Sequence, residues 1–334
     1  MKKIGFLSFG HWRDVPGSQT RSGGDALLQT IELAEAAEEL GVDGAFVRVH
    51  HFERQLGSPF PLLAAIGART RRIEIGTGVI DMRYENPLYM AEEAAAADLI
   101  SGGRLQLGIS RGSPETALRG AEAFGYQADD PADMARRKAE LFLSAIDGAP
   151  VARTDPARTG GVSGHLAITP QSPGLRDRIW WGAGTRATGE WAAKLGVHLQ
   201  SSTLLSEDTG VPFDKLQAEQ IRLFKEAWTH ERTPRVSVSR SVLPITEDID
   251  RMYFGTQAHD DQVGLLEGVR SRFGRTFVGE PDRIAAELAA DEAVREADYV
   301  LFTVPNQLGV EYNARILGTI VEHIAPAIGW KRAF

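Results

Sequence analysis

The sequence predicts an α/β fold of the (β/α)8 TIM-barrel class, with insertions after strands 4 and 7. Three features carry that expectation. Apolar, strand-like runs alternate with helical spacings from one end of the chain to the other, in eight strand–helix units. Three of the runs end in groups suited to a site: His50 and His51, then Arg111 and Gly112, then the turn Gly182-Ala-Gly-Thr185. Convergence at the C-terminal ends of strands is how such barrels assemble a site. The length of 334 residues fits one barrel with insertions, so the expected organisation is a single domain over 1–334.

The elements follow in order. Residues 4–9 form the first strand. Residues 24–40 carry apolar side chains at Leu27, Ile31, Ala34 and Ala37, a helical spacing that Gly41 stops. The second strand is 44–49, and the helix 59–70 starts on a tolerated proline. The third strand is 73–80. Asn86-Pro87 caps and starts a helix reaching about Ser101. Residues 105–110 are the fourth strand, and 115–148 carry helical material broken near Pro131. Residues 149–178, rich in Pro, Gly, Thr and Ser, read as an insertion. The alternation resumes with strand 179–182 and helix 187–195, then strand 197–201 and a helix within 213–229. Strand 235–243 is followed by 246–275, charged and glycine-rich, at the mouth of the barrel. That position suggests a lid that excludes water, mobile without ligand. A helix over 281–290, a strand over 299–303 and a helix over 308–324 complete the set.

Composition narrows the function. A net charge of −8 and the absence of a basic run argue against nucleic acid as a partner. No apolar stretch approaches the ~20 residues of a membrane span. The apolar start is too short and too soon interrupted for a signal peptide, so the expected location is cytoplasmic. With no cysteine there is no disulfide, thiolate metal site or cysteine nucleophile. The histidines lack a regularly spaced third ligand, so no metal is expected.

At a strand end, Arg111 can bind a phosphate through its planar fork or form a surface salt bridge. The turn Gly182-Ala-Gly-Thr-Arg-Ala187 opens a helix, where free N–H groups and the helix dipole favour an anion. It also fits a loose dinucleotide fingerprint, but four strand–helix units precede it. The next strand ends in Gln200-Ser-Ser202, without an acidic residue for a ribose. Arg240, in Ser237-Val-Ser-Arg-Ser241, is open between an anionic substrate, the edge of a cofactor ring and a structural salt bridge.

With the strand ends placed, the chain resembles the bacterial luciferase-like family of flavin-dependent monooxygenases over nearly its whole length. The resemblance rests on Val49-His-His-Phe52, Ile75-Gly-Thr-Gly-Val-Ile80, Asn86-Pro-Leu88, Asp98-Leu-Ile-Ser-Gly-Gly-Arg104, Gly108-Ile-Ser-Arg-Gly112 and Glu190-Trp-Ala-Ala193, in that order. Val49 stands where the luciferase branch usually has Glu, which sets the chain apart from the aldehyde-oxidising luciferases. The resemblance implies reduced FMN as co-substrate, delivered by a separate NAD(P)H:flavin reductase. It implies activation of O2 as a flavin peroxide that oxygenates a small organic substrate, in a homodimer. It assigns Arg111, Gly184, Thr185 and Thr188 to the flavin phosphate. A non-proline cis peptide at Gly78-Val79 would lie under the isoalloxazine, with Gln200 and Ser202 at the flavin edge. His50 falls beside the reaction centre, its pKa suited to proton transfer near neutrality, and His51 in packing. A deazaflavin-dependent hydride-transfer enzyme and a non-catalytic flavin-binding protein are the alternatives.

Overall fold

The structure is a computed structural model that describes residues 2–112, 117–256, 260–266 and 269–333. Its framework is a ring of parallel strands. These are β1 (Lys3–Ser8), β2 (Gly44–Val47), β3 (Glu74–Thr77) continued by β4 (Ile80–Asp81), β5 (Leu105–Ser110), β8 (Ile179–Ala183), β9 (His198–Ser201), β11 (Val236–Pro244) and β15 (Tyr299–Val304). They bond in the order β15-β1-β2-β3-β5-β8-β9, and β11 bonds to both β9 and β15, which closes an eight-stranded barrel. The two-residue strands β6 (Ala152–Arg153) and β7 (His165–Leu166) make a small hairpin within the insertion expected at 149–178.

Helices cover the barrel: α1 (Gly23–Leu40), α2 (Pro59–Arg69), α3 (Pro87–Ile100), α4 (Gly120–Ala123), α5 (Pro131–Ile146), α6 (Arg186–Leu195), α7 (Phe213–Ala227), α8 (Asp248–Phe254), α9 (Pro281–Ala290), α10 (Glu292–Glu296) and α11 (Gly309–Thr319). Their limits follow local chemistry. Ser22 and Asp25 form a capping box at the start of α1, and Gly41 ends it in the left-handed region at φ 85°. Asn86 accepts from the N–H groups of Leu88 and Tyr89 at the start of α3. The expected helix over 308–324 is α11 followed by a π-helical turn, Ile320–Ile324.

The lower half of the barrel is filled, which leaves the C-terminal end for a site. Leu7, Phe46, Trp180, Tyr299 and Leu301 pack inside the ring. Beneath them a polar relay runs inside the barrel, with Glu74 Oε2 left without a hydrogen-bond partner among the described residues. The Trp180 indole donates to Gln106 at 2.9 Å, Gln106 donates to Glu74 at 3.1 Å, and Lys3 pairs with Glu74 at 2.7 Å. Gly44 is required here, because a Cβ at that position would stand 1.9 Å from the Tyr299 hydroxyl.

Two quoted motif residues prove to be braces. The buried Asp98 accepts from the Leu105 N–H at 3.0 Å and Ser172 Oγ at 2.6 Å, and pairs with Arg178 at 2.6 Å. Arg104 donates to the carbonyls of Gly67, Thr70, Ser101 and Ile73, tying α2 and α3 to β5.

The segment expected as a loose polar lid, 246–275, is built differently. It holds α8, whose Asp250 takes hydrogen bonds from Thr246, Glu247, Tyr312 and Arg315. It then forms β12 (Gln262–Leu266) and β13 (Val269–Phe273), which pair antiparallel, and β13 also pairs with β10 (Leu204–Leu205). Arg272 binds Asp208 through two bonds of 3.0 and 2.8 Å, fastening β13 to the chain after β10. The last strand, β14 (Thr276–Gly279), adds to the second half of β11. Residues 257–259 and 267–268 of this segment, like 115–116 of the expected helical region, lie outside the described residues.

Candidate active site

A cavity of about 470 Å³ opens at the C-terminal ends of the strands. His50, Gly78, Val79, Arg111, Gly184, Thr185, Thr188, Gln200 and Ser202 all line it, although they come from β2, β3, β5, β8, β9 and the segments that follow them. Each strand contributes its terminal residues because the ring is parallel, so all C-terminal ends meet at one mouth.

The cup around Thr185 is formed by the start of α6. Thr185 is its N-cap and accepts from the Thr188 N–H at 3.2 Å, while the two hydroxyls lie 2.6 Å apart. Ser206 faces the same space. Arg111, just beyond β5, the strand that pairs with β8, stands beside this cup, half-buried. Among the described residues no carboxylate is paired with it, and burial followed by the nearby Arg136 lowers its pKa. By contrast Asp81, the acidic residue among those lining the cavity, is held by Arg83 at 2.6 Å.

The strand expected over 73–80 is interrupted between β3 and β4, where the peptide Gly78-Val79 is cis. The Gln200 amide lies against it: a Cβ on Gly78 would fall 3.2 Å from Gln200 Nε2, and one on Gly108 2.3 Å from Oε1. Gln200 Oε1 is buried without a hydrogen-bond partner among the described residues. Gly182 completes the surface, for a Cβ there would meet Val79 at 3.0 Å.

β2 ends at Val47, so the His50-His51 pair stands beyond the strand and the alternation of strand faces does not separate the two rings. Both line the cavity. His51 packs on Tyr84, ring centres 4.3 Å apart, and on Phe124 at 5.1 Å. The expected pKa of His50 needs correction. Burial first, then the positive charge of Arg48, pushes it down to about 4, so the imidazole is neutral near pH 7.

Arg240 also needs correction. Ser239 lines the cavity, and the next residue on a strand points the other way. Arg240 is buried beneath α7 and α10, bound to Asp291 through two 2.8 Å bonds and to Gln217 at 2.9 Å. It is the structural salt bridge and not a residue of the mouth. Sequence reading missed Arg48, Ser206 and Phe273. A lone arginine inside the run Gly44-Ala-Phe-Val-Arg-Val49 was a usable signal for the first. Phe273 arrives on β13, from a pairing that local pattern does not announce.

A family model described as luciferase-like monooxygenase matches residues 1–247. The chain belongs to this family. Among its relatives, 4-hydroxyprotoasukamycin monooxygenase of Streptomyces nodosus subsp. asukaensis is 33% identical over 136 residues, 40% of this chain and 35% of that protein. The oxygenase component of the flavin-dependent trigonelline monooxygenase of Acinetobacter baylyi is 33% identical over 110 residues, 32% of this chain and 30% of that protein. The F420-dependent glucose-6-phosphate dehydrogenase of Nocardia farcinica is 36% identical over 110 residues, 31% of each chain. The chain thus matches about a third of the length of each of these relatives. The oxygenating constituent of 3,6-diketocamphane monooxygenase from Pseudomonas putida, solved with FMN, superposes with a TM-score of 0.68 at 15% identity, covering 98% of this chain and 99% of that one. At that identity the likeness concerns the barrel. No helix among the described residues is long and apolar enough to cross a membrane.

Proposed function

We infer that this luciferase-like protein is the oxygenase of a two-component system, using reduced FMN and O2 to oxygenate a small organic substrate. One observation carries the reading: an arginine that pairs with no carboxylate among the described residues, a hydroxyl-lined helix start, a cis Gly78-Val79 peptide and a neutral imidazole share one cavity. The residues suit FMN. Arg111 with Gly184, Thr185 and Thr188 offers a cation, hydroxyls and a helix start to a phosphate. Gln200 turns its Nε2 donor toward Gly78, where the edge of a flat ring could meet it, and its Oε1 near Gly108 has no hydrogen-bond partner among the described residues. Ser202 lines the same wall.

When bound, the reduced flavin supplies the electrons that activate O2. The chain's own residues bind, orient and exclude water. Gly78, Val79 and Gly182 form a smooth surface without protruding polar groups, and Phe273 closes the wall above β9. Because His50 is neutral at physiological pH, its free ring nitrogen can accept a proton from a substrate placed beside it. The NAD(P)H:flavin reductase is a separate protein in this reading, as the name of the trigonelline relative implies for that enzyme.

The F420-dependent relative supports a second reading, hydride transfer to or from F420, a deazaflavin, in the same cavity. Titration of the purified protein with FMN, reduced FMN and the deazaflavin, followed by O2 consumption with an added flavin reductase, decides between them. Tight FMN binding with reduced-flavin-dependent O2 uptake is expected. Preference for the deazaflavin with no O2 uptake would refute the oxygenase reading, and binding without turnover of either would leave a flavin carrier.

A further inference from the structure

Arg48 has no assigned partner, and its setting is unusual. It follows directly on β2, yet its guanidinium turns into the cavity instead of out to solvent. It lies over the Phe9 ring, 4.8 Å from the centroid. Its flanking rings are His11, edge-on to Phe9 at 5.7 Å, and His50. Burial first, then the Arg48 charge, lowers the pKa of both histidines, against the opposing pull of Glu53. Among the described residues no carboxylate is paired with Arg48, and burial alone lowers its pKa. Asp81, on β4 beyond the neighbouring strand β3, is already occupied by Arg83.

A buried guanidinium without a counter-ion is costly, because desolvation is not offset by a fixed partner. Such an arrangement persists where a ligand brings the missing charge. The strand order places it. β2 is followed by β3, β5, β8 and β9, so Arg48 stands across the ring from the α6 cup, and the cis peptide lies between them. A ligand with its phosphate in the cup leaves Arg48 on the His50 side. The Phe9 ring stiffens the guanidinium from one face and leaves its edge of N–H donors for a planar, two-oxygen acceptor.

We propose that Arg48 is the substrate-recognition residue of this cavity and that the substrate carries a carboxylate, which pairs with Arg48 and sets the adjoining carbon beside His50. The proposal rests on the reading of the cavity as a flavin site only for what lies next to the substrate; the carboxylate subsite itself needs no flavin. The anchoring carboxylate would also balance the Arg48 charge which, after burial, lowers the His50 pKa.

The test is calorimetric titration of wild-type protein, with and without FMN, using acetate, phenylacetate and decanoate, each against its neutral amide. At least one carboxylate should bind about ten-fold or more tightly than its amide. Arg48→Gln should abolish that preference with FMN affinity unchanged. Arg48→Lys, which keeps the charge but not the fork, should restore part of it, and circular dichroism should show both variants folded. If no carboxylate exceeds its amide, or if Arg48→Gln retains the preference, the proposal falls. If Arg48→Gln weakens FMN as much as it weakens carboxylates, Arg48 is a flavin contact and the proposal also falls. If wild-type protein binds no FMN yet shows the Arg48-dependent preference, the flavin reading fails and the carboxylate subsite stands.

Discussion

Replacing Arg111 separates a phosphate anchor from a structural cation, because the two roles have opposite consequences for the free protein. The guanidinium is half-buried and, among the described residues, unpaired with any carboxylate. Arg111→Met keeps the stem and removes the charge. Nothing described is left without its partner, so the melting temperature of the ligand-free protein should hold or rise slightly. A hydrogen bond to a charged group contributes about 1.5–3 kcal/mol, so FMN affinity should fall roughly 10- to 150-fold. Riboflavin, which lacks the phosphate, should bind the variant about as well as it binds wild type. The assay is fluorescence titration of both flavins against both proteins, repeated at two salt concentrations, since the lost interaction is electrostatic. An equal loss for FMN and riboflavin would mean that the substitution damaged the ring site. An unchanged FMN affinity would remove Arg111 from the cup.

Three further outcomes are expected. His50 has a folded pKa of about 4 against an ordinary 6.5, so the unfolded chain takes up its proton first and stability is lost as the pH falls from about 6.5 towards 4. Burial acts on it first, then Arg48, Glu53, Asp81 and His51, and solvent screening at this half-exposed site keeps the loss below the ~3 kcal/mol that the shift alone implies. Urea midpoints at pH 7 and pH 5 should therefore converge for His50→Gln relative to wild type; equal pH slopes would contradict it. Arg240→Met leaves Asp291 buried without its cation and should cost about 3–5 kcal/mol of stability while FMN affinity is kept, read by denaturant unfolding and flavin titration. A loss of flavin affinity without loss of stability would return Arg240 to the site. Gly44→Ala should destabilise by about 1–3 kcal/mol through overlap with the Tyr299 hydroxyl and the Phe46 ring, and Tyr299→Phe should recover the hydroxyl's part of this in the double variant. Strict additivity of the two in thermal melts would exclude the clash.

The barrel was legible because its periodicities are local. Ser22, Gly41 and Asn86 mark helix limits through contacts within a few residues, and β5 begins and ends where the apolar run does. The convergence of His50, Arg111 and Thr185 was legible for a different reason: a parallel closed ring sends every C-terminal end to one mouth. What escaped was decided by partners far away in sequence. Arg240 and Ser239 are neighbours with opposite fates, and the outward one is fixed by Asp291, 51 residues on. Nothing near Asp250 signals the grip of Tyr312 and Arg315 on α8. The lowered basicity of His50 escaped because burial is its first cause and burial is set by the whole fold, although Arg48, the second cause, stands only two residues before it.

The fork in β11 has a consequence for how such a protein diversifies. β9 bonds to residues 236–238 of β11, and β14 takes over at 241–244. The chain leaving β9 is thereby released from the ring at Ser201 and swings into β10, which is stitched to β13. Leu204 and Phe273 reach the cavity from this outlying sheet, whereas Gly78, Arg111 and Gly184 sit on or just beyond the ring itself. The wall that meets one side of the cavity and the girdle that closes the barrel are therefore held by different hydrogen bonds. A lineage can redraw the first, residue by residue or by exchanging the hairpin, while inheriting the second intact.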